Sequence, residues 1–485
     1  MTTFQAATQA LSRVFVAEGA AGPGNPPVFQ SCLAMGSTSQ SIGSVTFIYC
    51  PDPDNYNQFI AVGEIQEREE QVETSLSGHF PLTSRSRLVQ WAKSKTPLAI
   101  HVHFGQSTNP QNFNTFVKAV IFDEGAKISS LDIDELGALE ESGSIGESVD
   151  ISAASFYEVV PMTYVSIQND TIETGGVDAW LERLYDEYLP VSQRFAVFVV
   201  TNGDGSTTGG KLIYTIDGGA NYSEIDLTTA IVAGNSPSGV AAVNGVPVIV
   251  SADVTNMFYV DVVAGDTAVT TVATGNAINA IDSAGAFAYV VGDSNYMGKI
   301  TDYSAAPEDV DAGSGGNLVS VSVHPSGAVA AGDDAGYVFF SADGLNFGGV
   351  QIDAGNSVTA VEVVNADIAW AGTDTGKLFY TQNGGQSWVQ SSFPGSGSGE
   401  VTDIRFPTLS VGFIAHRPAT GNAYLVKTVG AGASGTWYRT PYAGAIPTAY
   451  SLKLAMRQGE PNMMVATGPT TSDPTADGVI IFGDE

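Results

Sequence analysis

Alternating apolar and polar positions recur at a nearly constant interval along the second half of the chain. Short alternating runs begin at Leu318, Val358 and Val401, and Val321 and Val361 in two of these runs are 40 residues apart. A second β-rich run follows each of them. A period of about 40 residues holding three or four short strands is typical of a β-propeller. At this period, residues 192–485 predict about seven blades, with six as the alternative.

The two ends of this repeat region predict how the ring closes. The first unit lacks a recognisable inner strand, and the last, which ends in GVIIFGDE, lacks an outer one. Joining the chain ends within one blade would complete both units. It would also remove strand edges that otherwise pair with other chains.

Three of the repeats carry a common turn. The segments are KLIYTIDGGANY from Lys211, YVFFSADGLNF from Tyr337 and KLFYTQNGGQSW from Lys377. They resemble the Asp-box, the hairpin repeat of sialidase-like propellers. A short polar side chain followed by glycine suits a hairpin turn that needs positive φ, and the aromatic residue then packs between blades. We interpret these turn positions as structural, not catalytic; they are Asp217, Gly219, Tyr222, Asp343, Gly344, Phe347, Asn383, Gly385 and Trp388.

A different periodicity precedes the repeats. In GGVDAWLERLYDEYLP the apolar side chains fall on one helical stripe; they are Val177, Trp180, Leu181, Leu184, Tyr185 and Tyr188. The spacing predicts a helix over 176–189, within a linker at 171–191. It would pack as a strap at the domain boundary or, alternatively, bind a partner.

Residues 1–170 predict a separate, mixed β-rich domain. The strand candidates are rich in β-branched and aromatic residues; they are VTFIYC from Val45, FIAVGEIQ from Phe59, PLAIHVHFG from Pro97, FVKAVIF from Phe116 and SFYEVVPMTYVSI from Ser155. The segment SRSRLVQWAKS, from Ser84, predicts one short helix.

The charge balance excludes some partners. There are 51 acidic and 19 basic residues, for a net charge of −32. This excludes a chain-wide basic surface for nucleic acid or anionic lipid. The plainest explanation of the acidic balance is solubility.

The cysteines and the apolar stretches give little further information. Cys32 and Cys50 make no disulfide framework, and whether they pair is left open. No apolar stretch has the length of a membrane helix, and the first residues lack a leader pattern, so we expect neither membrane insertion nor leader-directed export.

The first domain resembles the major tail proteins of tailed bacteriophages. The likeness runs from about Phe59 to Ile167 and is carried by GEIQ, by PLTSRSRLVQWAKSKTPLAIHVHFG, and by the segment from Asn109 to Tyr164. The resemblance implies a tail-tube-like β-sandwich with a short flanking helix. Subunits of this family form rings, usually of six, that stack into a tube. Residues 1–58 would suit an arm or loop that orders on assembly.

This resemblance implies a function. The chain would be a virion structural protein, the major tail tube subunit, made in the host cytoplasm and located in the virion tail. Its partners would be other copies of itself and other tail proteins, and DNA would pass during genome ejection without specific binding. Carboxylates facing the channel would repel the phosphate backbone. The candidate lumen residues are Glu64, Glu67, Glu69, Glu70 and Glu73; a solvated hairpin tip is the alternative for each.

Other functions have less support in the sequence. The propeller could instead bind a glycan or protein on a host surface, with the first domain as a virion attachment module. Sialidases resemble one another in holding the substrate carboxylate with three arginines spread around the ring. Here four of the five arginines after residue 190 follow residue 400, so we expect no enzyme. His101 and His103 share one strand face, but no further ligand completes a metal site, and we expect no metal or cofactor.

Overall fold

The protein folds into two compact units, Met1–Val160 and Pro161–Glu485. The structure, a computed structural model, describes much of the first unit and most of the second. The described ranges are 12–19, 28–41, 49–52, 55–61, 71–105, 116–133, 144–153, 157–159, 170–172, 174–183, 195–203, 209–217, 221–231, 235–428, 437–439, 449–457, 460–473 and 477–484.

In its described residues, the first unit is a β structure with one helix. Its elements are β1 Ser12–Glu18, β2 Val28–Ser41, β3 Tyr49–Asp52, β4 Asn55–Ala61, β5 Gln71–Pro81, α1 Leu82–Ser94, β6 Leu98–Gly105, β7 Phe116–Ile133, β8 Ser144–Ala153 and β9 Tyr157–Val159. The short helix predicted from Ser84 is confirmed as α1. The strands predicted from Pro97 and Phe116 are confirmed as β6 and β7.

One sheet in this unit closes on itself. Its order is β6-β1-β2-β5-β8-β7-β9, and β6 also pairs with β7, while β3 and β4 form a separate two-stranded sheet. The long strand β7 makes the closure possible because its first part pairs with β6 and its last part with β8. Gly125, with φ of 67°, lies where the pairing changes. A residue without Cβ accepts this conformation at little steric cost.

The core of this unit lies between the helix and the strands around it. Trp91 of α1 is buried against a cluster that includes Val16, Ile100 and Phe122. Its indole Nε1 donates a hydrogen bond of 2.7 Å to Glu18 Oε1, so the polar edge of the ring is also satisfied. Burial of aliphatic and aromatic side chains of this kind is the main favourable term in folding.

The second unit is a β-propeller built of seven four-stranded antiparallel sheets among the described residues. From the inner strand outward, the first six sheets are β11 Gly176–Arg183, β12 Phe195–Thr201, β13 Lys211–Thr215 and β14 Ser223–Asp226; β15 Gly239–Val243, β16 Val246–Val250, β17 Asn256–Tyr259 and β18 Thr270–Ala273; β19 Ile278–Ser283, β20 Ala288–Gly292, β21 Met297–Ile300 and β22 Glu308–Asp309; β23 Leu318–Val323, β24 Val329–Asp333, β25 Tyr337–Ser341 and β26 Gly348–Gln351; β27 Val358–Val363, β28 Ala369–Thr373, β29 Leu378–Thr381 and β30 Val389–Ser391; β31 Glu400–Arg405, β32 Gly412–Arg417, β33 Tyr424–Thr428 and β34 Trp437–Arg439.

The seventh blade joins the two ends of the propeller. It contains β35 Lys453–Arg457, β36 Glu460–Pro469 and β37 Gly478–Asp484, and its outer strand is β10, Asp170–Ile172. Asp170 pairs with Ile480 and Ile172 with Gly478. The expectation that the last unit lacks an outer strand of its own is confirmed. The expectation that the first unit lacks an inner strand is wrong, because β11 fills that position.

The predicted linker helix is wrong where the structure describes it. Val177, Trp180 and Leu181 lie in strand β11, whereas Leu184, Tyr185 and Tyr188 fall outside the described residues. Leu181 packs towards the seventh blade and Trp180 towards the second. An inner strand is covered on both faces, so its apolar residues do not alternate and a helical stripe fits them equally well.

Among the described residues, no helix is long and apolar enough to cross a membrane.

Candidate functional site: the centre of the propeller

Polar side chains of the inner strands link neighbouring blades around the axis. In five places, a side-chain oxygen of one inner strand accepts a hydrogen bond from a backbone N–H of the next. The pairs are Asp178 with Val240 at 3.1 Å, Asp282 with Val323 at 2.7 Å, Ser322 with Val363 at 3.0 Å, Glu362 with Phe406 at 2.9 Å, and Asp403 with Leu454 at 2.8 Å. An inner strand is the edge of its sheet, so these buried N–H groups lack a ladder partner. The acceptors satisfy them.

The 40-residue repeat explains why several of these acceptors occupy equivalent positions in their blades. Asp282, Ser322 and Glu362 are separated by 40 residues each and occupy the same position in three successive inner strands. Each lies one residue before the end of its strand. The corresponding position at the end of the sixth inner strand is Arg405. One cation therefore takes the place that acidic or hydroxyl side chains hold in the third, fourth and fifth blades.

Arg405 is the centre of a buried ionic cluster. Its Nε donates a hydrogen bond of 3.0 Å to the Leu454 carbonyl. Its guanidinium nitrogens lie 3.5 Å from Glu362, 3.7 Å from Asp403 and 3.9 Å from Asp282. Only 17% of the Arg405 side chain is exposed. The cluster thus unites the third, fifth and sixth blades, and through Leu454 also the seventh.

The cluster is electrostatically unbalanced because several carboxylates share one guanidinium. Burial raises the pKa of Asp178 and of Asp282 to about 6. Burial likewise raises the pKa of Glu362 to about 7, although the nearby Arg405 opposes the shift. For Arg405, burial alone would lower the pKa, but the surrounding carboxylates outweigh it and the pKa rises. Burial thus moves the pKa of these central carboxyl groups from the acidic range towards neutral pH.

A cavity of about 230 Å³ adjoins this cluster. Its lining combines charged, aromatic and small residues from several inner strands and the loops that follow them; they include Trp180, Glu182, Asp282, Ser322, Pro325, Glu362, Arg405, Met456 and Arg457. At about 30 Å³ per molecule, a polar space of this size holds on the order of seven waters. In the described part of the chain, no group of three or more His, Cys, Asp and Glu residues is arranged to hold a metal ion.

Of the candidate lumen glutamates, only Glu73 lies among the described residues. Glu73 lies in β5, where its backbone pairs with Ser39 of β2 and Ser152 of β8. Glu64, Glu67, Glu69 and Glu70 lie outside the described residues. The role of these side chains in a channel therefore stays a prediction.

The turn residues singled out in the sequence lie on hairpins between the third and fourth strands of their blades. Asp343 Oδ1 accepts hydrogen bonds of 2.9 Å from the backbone N–H groups of Leu345 and Asn346. Those hydrogen bonds hold the pKa of Asp343 well below its usual range. Asp217 accepts in the same way from Asn221, and Asn383 from Ser387. These side chains order their own turns.

The accompanying glycines and aromatics complete these hairpins. Gly344 and Gly385 have φ of 71° and 75°, and Gly219 lies outside the described residues. The aromatic residues pack at three different blade junctions: Tyr222 between the first and seventh, Phe347 between the third and fourth, and Trp388 between the fourth and fifth.

The Arg405 cluster was not predicted from the sequence. The signal available in the sequence was that Asp282, Ser322 and Glu362 occupy the same position of the 40-residue repeat. The next repeat has a basic residue, Arg405, at that position. His101, considered as a possible metal ligand, is fully buried in β6, where it pairs with Phe15 and Ile121. Its neighbour on the same strand, His103, pairs with Arg13 and Ala119.

No family model and no curated protein matches this chain. Solved structures with a similar fold include YCF48 bound to D1 peptide, with 12% identity, a TM-score of 0.47, and coverage of 67% of this chain and 98% of that one. YCF48 from Cyanidioschyzon merolae has 14% identity, a TM-score of 0.46, and coverage of 65% and 98%. A chain of the mitotic checkpoint complex has 10% identity, a TM-score of 0.48, and coverage of 67% and 92%. The propeller assignment itself rests on the sheet pairing described above.

Proposed function

We propose that this chain is a virion structural protein, the major tail tube subunit of a tailed bacteriophage, that carries a β-propeller on the outside of the tube. In this proposal the first unit, with its closed seven-stranded sheet, is the tail-tube domain and assembles into stacked rings of six subunits. The propeller is a non-enzymatic decoration.

The order of elements in the first unit is the observation that supports this proposal most. The resemblance implies a hairpin, a short helix, a strand ending in Phe-Gly, and a strand–acidic loop–strand unit. Of these elements, the chain has the helix α1, then β6 ending at Phe104-Gly105, then β7 and β8 on either side of the acidic segment 134–143. The helix also packs into the core beside β6, which suits a flanking position.

The charge of the chain supports the passage of DNA without binding. Lys and Arg contacts to phosphate supply most non-specific affinity for DNA, and this chain has 19 such residues against 51 acidic ones. A tube made of such subunits would let the DNA slide.

The centre of the propeller supports a structural role for that unit. Asp282, Glu362 and Asp403 each accept a backbone hydrogen bond from a neighbouring blade and also lie near Arg405. Groups that are engaged in this way stabilise the ring. We therefore assign no catalytic role to the cluster.

Electron microscopy of the purified full chain tests the proposal. The protein is concentrated stepwise, and negative-stain images are combined with sedimentation velocity at each step. Hollow tubes or stacked rings with external knobs are the expected result. A chain that remains a monomer or small closed oligomer at every concentration, also after addition of preformed tail ends from lysed virions, contradicts it and favours the alternative, an attachment module with a host-binding propeller.

A further inference from the structure

Three Asn-Gly pairs connect strands of the propeller. They are Asn202-Gly203 after β12, Asn244-Gly245 after β15 and Asn383-Gly384 after β29. An asparagine that precedes glycine is open to attack on its side-chain amide carbon by the backbone nitrogen of the glycine, because no Cβ of the next residue obstructs the approach. In a folded chain, the reaction therefore depends on whether the side-chain amide and the glycine nitrogen are free to meet.

The Asn244-Gly245 pair forms the tight turn between β15 and β16. Val243 and Val246 pair with each other on either side of it. Asn244 and Gly245 have φ of 52° and 81°, which is the conformation of a type I′ hairpin turn and explains why these two residue types stand here. Asn244 is exposed, so the turn presents its side chain to solvent.

Both reacting groups of this turn are free. Within the part of the chain that the structure describes, the Asn244 side chain and the Gly245 N–H make no hydrogen bond, and the turn is held by the Asn244 N–H alone, which donates to Gly285. A Cβ built on Gly245 meets no atom within 4 Å. Rotation about the Cα–C bond of Asn244, which brings the glycine nitrogen to the amide carbon, is therefore unobstructed.

The Asn383-Gly384 pair is held at both groups. Asn383 Oδ1 accepts hydrogen bonds of 2.9 Å from the Thr381 hydroxyl and 3.0 Å from the Ser387 N–H. Asn383 Nδ2 donates a hydrogen bond of 2.8 Å to the Ser387 hydroxyl. The Gly384 N–H donates a hydrogen bond of 3.0 Å to the Asp367 carbonyl. Several hydrogen bonds must break before these two groups meet.

The Asn202-Gly203 pair is held in a similar way. Asn202 Nδ2 donates a hydrogen bond of 3.2 Å to the Gly175 carbonyl. The Gly203 N–H donates a hydrogen bond of 3.1 Å to the Ser236 hydroxyl. Of the three pairs, the fold thus leaves one free to react.

We propose that Asn244 is a site of spontaneous deamidation in the folded chain. The Gly245 nitrogen gives up its proton to hydroxide and bonds to Asn244 Cγ, and the side-chain amide nitrogen leaves as ammonia. Water then opens the resulting succinimide. Opening at the former side-chain carbonyl yields aspartate, and opening at the backbone carbonyl yields isoaspartate, in which the main chain runs through the former side chain. The net reaction consumes one water, releases one ammonia and needs no oxidant or reductant.

The modified residue lies where the second and third blades meet. The Asn244 N–H donates a hydrogen bond of 2.6 Å to the Gly285 carbonyl. Gly285 in turn lines the cavity at the centre of the propeller. Both products add a negative charge at this contact, and isoaspartate also lengthens the main chain there by one carbon. Deamidation therefore changes a contact between two blades without the action of an enzyme.

Incubation of the full chain in mildly alkaline buffer tests the proposal. Samples are digested with pepsin at acidic pH, which stops the reaction, and the three peptides are compared by mass spectrometry. Asn244 should convert at least about tenfold faster than Asn202 and Asn383, since hydrogen bonds must break before those two react. A sample unfolded in urea should lose this large difference, because all three pairs are then equally free. Comparable rates in the folded chain, or an intact Asn244 once the unfolded sample has reacted, overturns the proposal.

Two variants test the cause of this selectivity. Asn244→Gln should remove most of the ammonia that the folded chain releases and leave the other two sites unchanged. Ser236→Ala removes the acceptor of the Gly203 N–H and should speed the reaction of Asn202 by about threefold to tenfold, with no effect at Asn244. Melting temperatures close to that of the native chain show that both variants fold. Undiminished ammonia release from Asn244→Gln, or an unchanged rate at Asn202 in Ser236→Ala, contradicts the proposal. The outcome is independent of tube assembly, because all three pairs lie within the propeller.

Discussion

Arg405 of the sixth blade and Glu362 of the fifth meet at the centre of the propeller, with 3.5 Å between Nη1 and Oε2. Glu362 uses its other oxygen, Oε1, to accept the backbone N–H of Phe406, the residue after Arg405. The same two strands are therefore joined by an ion pair and by a hydrogen bond. Neither contact is part of the hydrogen bonding within a sheet, and both hold the fifth blade against the sixth.

Removal of the cation should destabilise the propeller. Arg405→Met leaves the carboxylates of Asp282, Glu362 and Asp403 buried without their counter-charge, and loss of one partner of a buried ion pair costs about 3–5 kcal/mol. Chemical denaturation followed by circular dichroism measures this change. Lys211→Met is the control, because Lys211 pairs with the exposed Glu224 and such pairs contribute about 0–1 kcal/mol. Equal losses in both variants would contradict the assigned role of the cluster.

Stability of the propeller should decrease as the pH rises from about 4.5 to 7. The pKa of Glu362 is about 7 in the folded protein, whereas the unfolded chain releases this proton near the ordinary value of 4.5. The folded state binds more protons in this window, so each such group lowers the unfolding free energy by up to about 1.4 kcal/mol per pH unit. Glu362→Gln, measured by urea denaturation across this range, should have a shallower slope. If Glu362→Gln left the slope of unfolding free energy against pH unchanged, Glu362 would not contribute to this pH dependence.

Two glycines with similar backbone conformation should respond differently to substitution. Gly385 and Gly397 have φ of 75° and 81°, but a Cβ at Gly385 would lie 2.4 Å from Phe340 Cβ, whereas one at Gly397 meets no atom within 4 Å. Both alanine variants carry the penalty of a left-handed conformation, roughly 1–2 kcal/mol. Gly385→Ala adds overpacking of about 1–3 kcal/mol. Thermal denaturation of both variants separates the two effects, and equal melting temperatures would contradict the packing of this turn.

The candidate lumen can be tested by charge reversal. Changing Glu67, Glu69, Glu70 and Glu73 to Lys should make assembled tubes retain DNA at low salt, since each added phosphate contact raises non-specific affinity and its salt dependence. The control reverses four exposed acids of the propeller, Asp302, Glu308, Asp309 and Asp311. Co-sedimentation of tubes with linear duplex DNA gives the measurement. Equal retention by both variants would refute a lumen position for the glutamates.

The sequence predicts those features that repeat and misses those that depend on distant partners. The 40-residue spacing of Val321 and Val361 predicts the blades because every blade must bury equivalent faces. The strand β11 was predicted as a helix because Trp180 and Leu181 pack against different blades, which destroys the alternation expected of a strand. Arg405 and Asp282 are more than a hundred residues apart, and only ring closure brings them together.

The ion pair between Lys377 and Asp353 illustrates the same limit. The equivalent positions 40 residues earlier hold Tyr337 and Gly313, which cannot form such a pair. That contrast has meaning only when the structure shows that Lys377 and Asp353 touch. The spacing was visible in the sequence, whereas the contact was not.

The pairing of β10 with β37 changes how the repeat array responds to thermal motion. An open array of repeats has end units with one neighbour, and these fray before the middle. Here Asp170, Thr171 and Ile172 complete the seventh blade, and the first blade packs against it through Leu181 and Ile480. Every blade then has two neighbours. Amide hydrogens of the first and last blades should consequently exchange with solvent as slowly as those of the central ones, and the ring should open as one cooperative body.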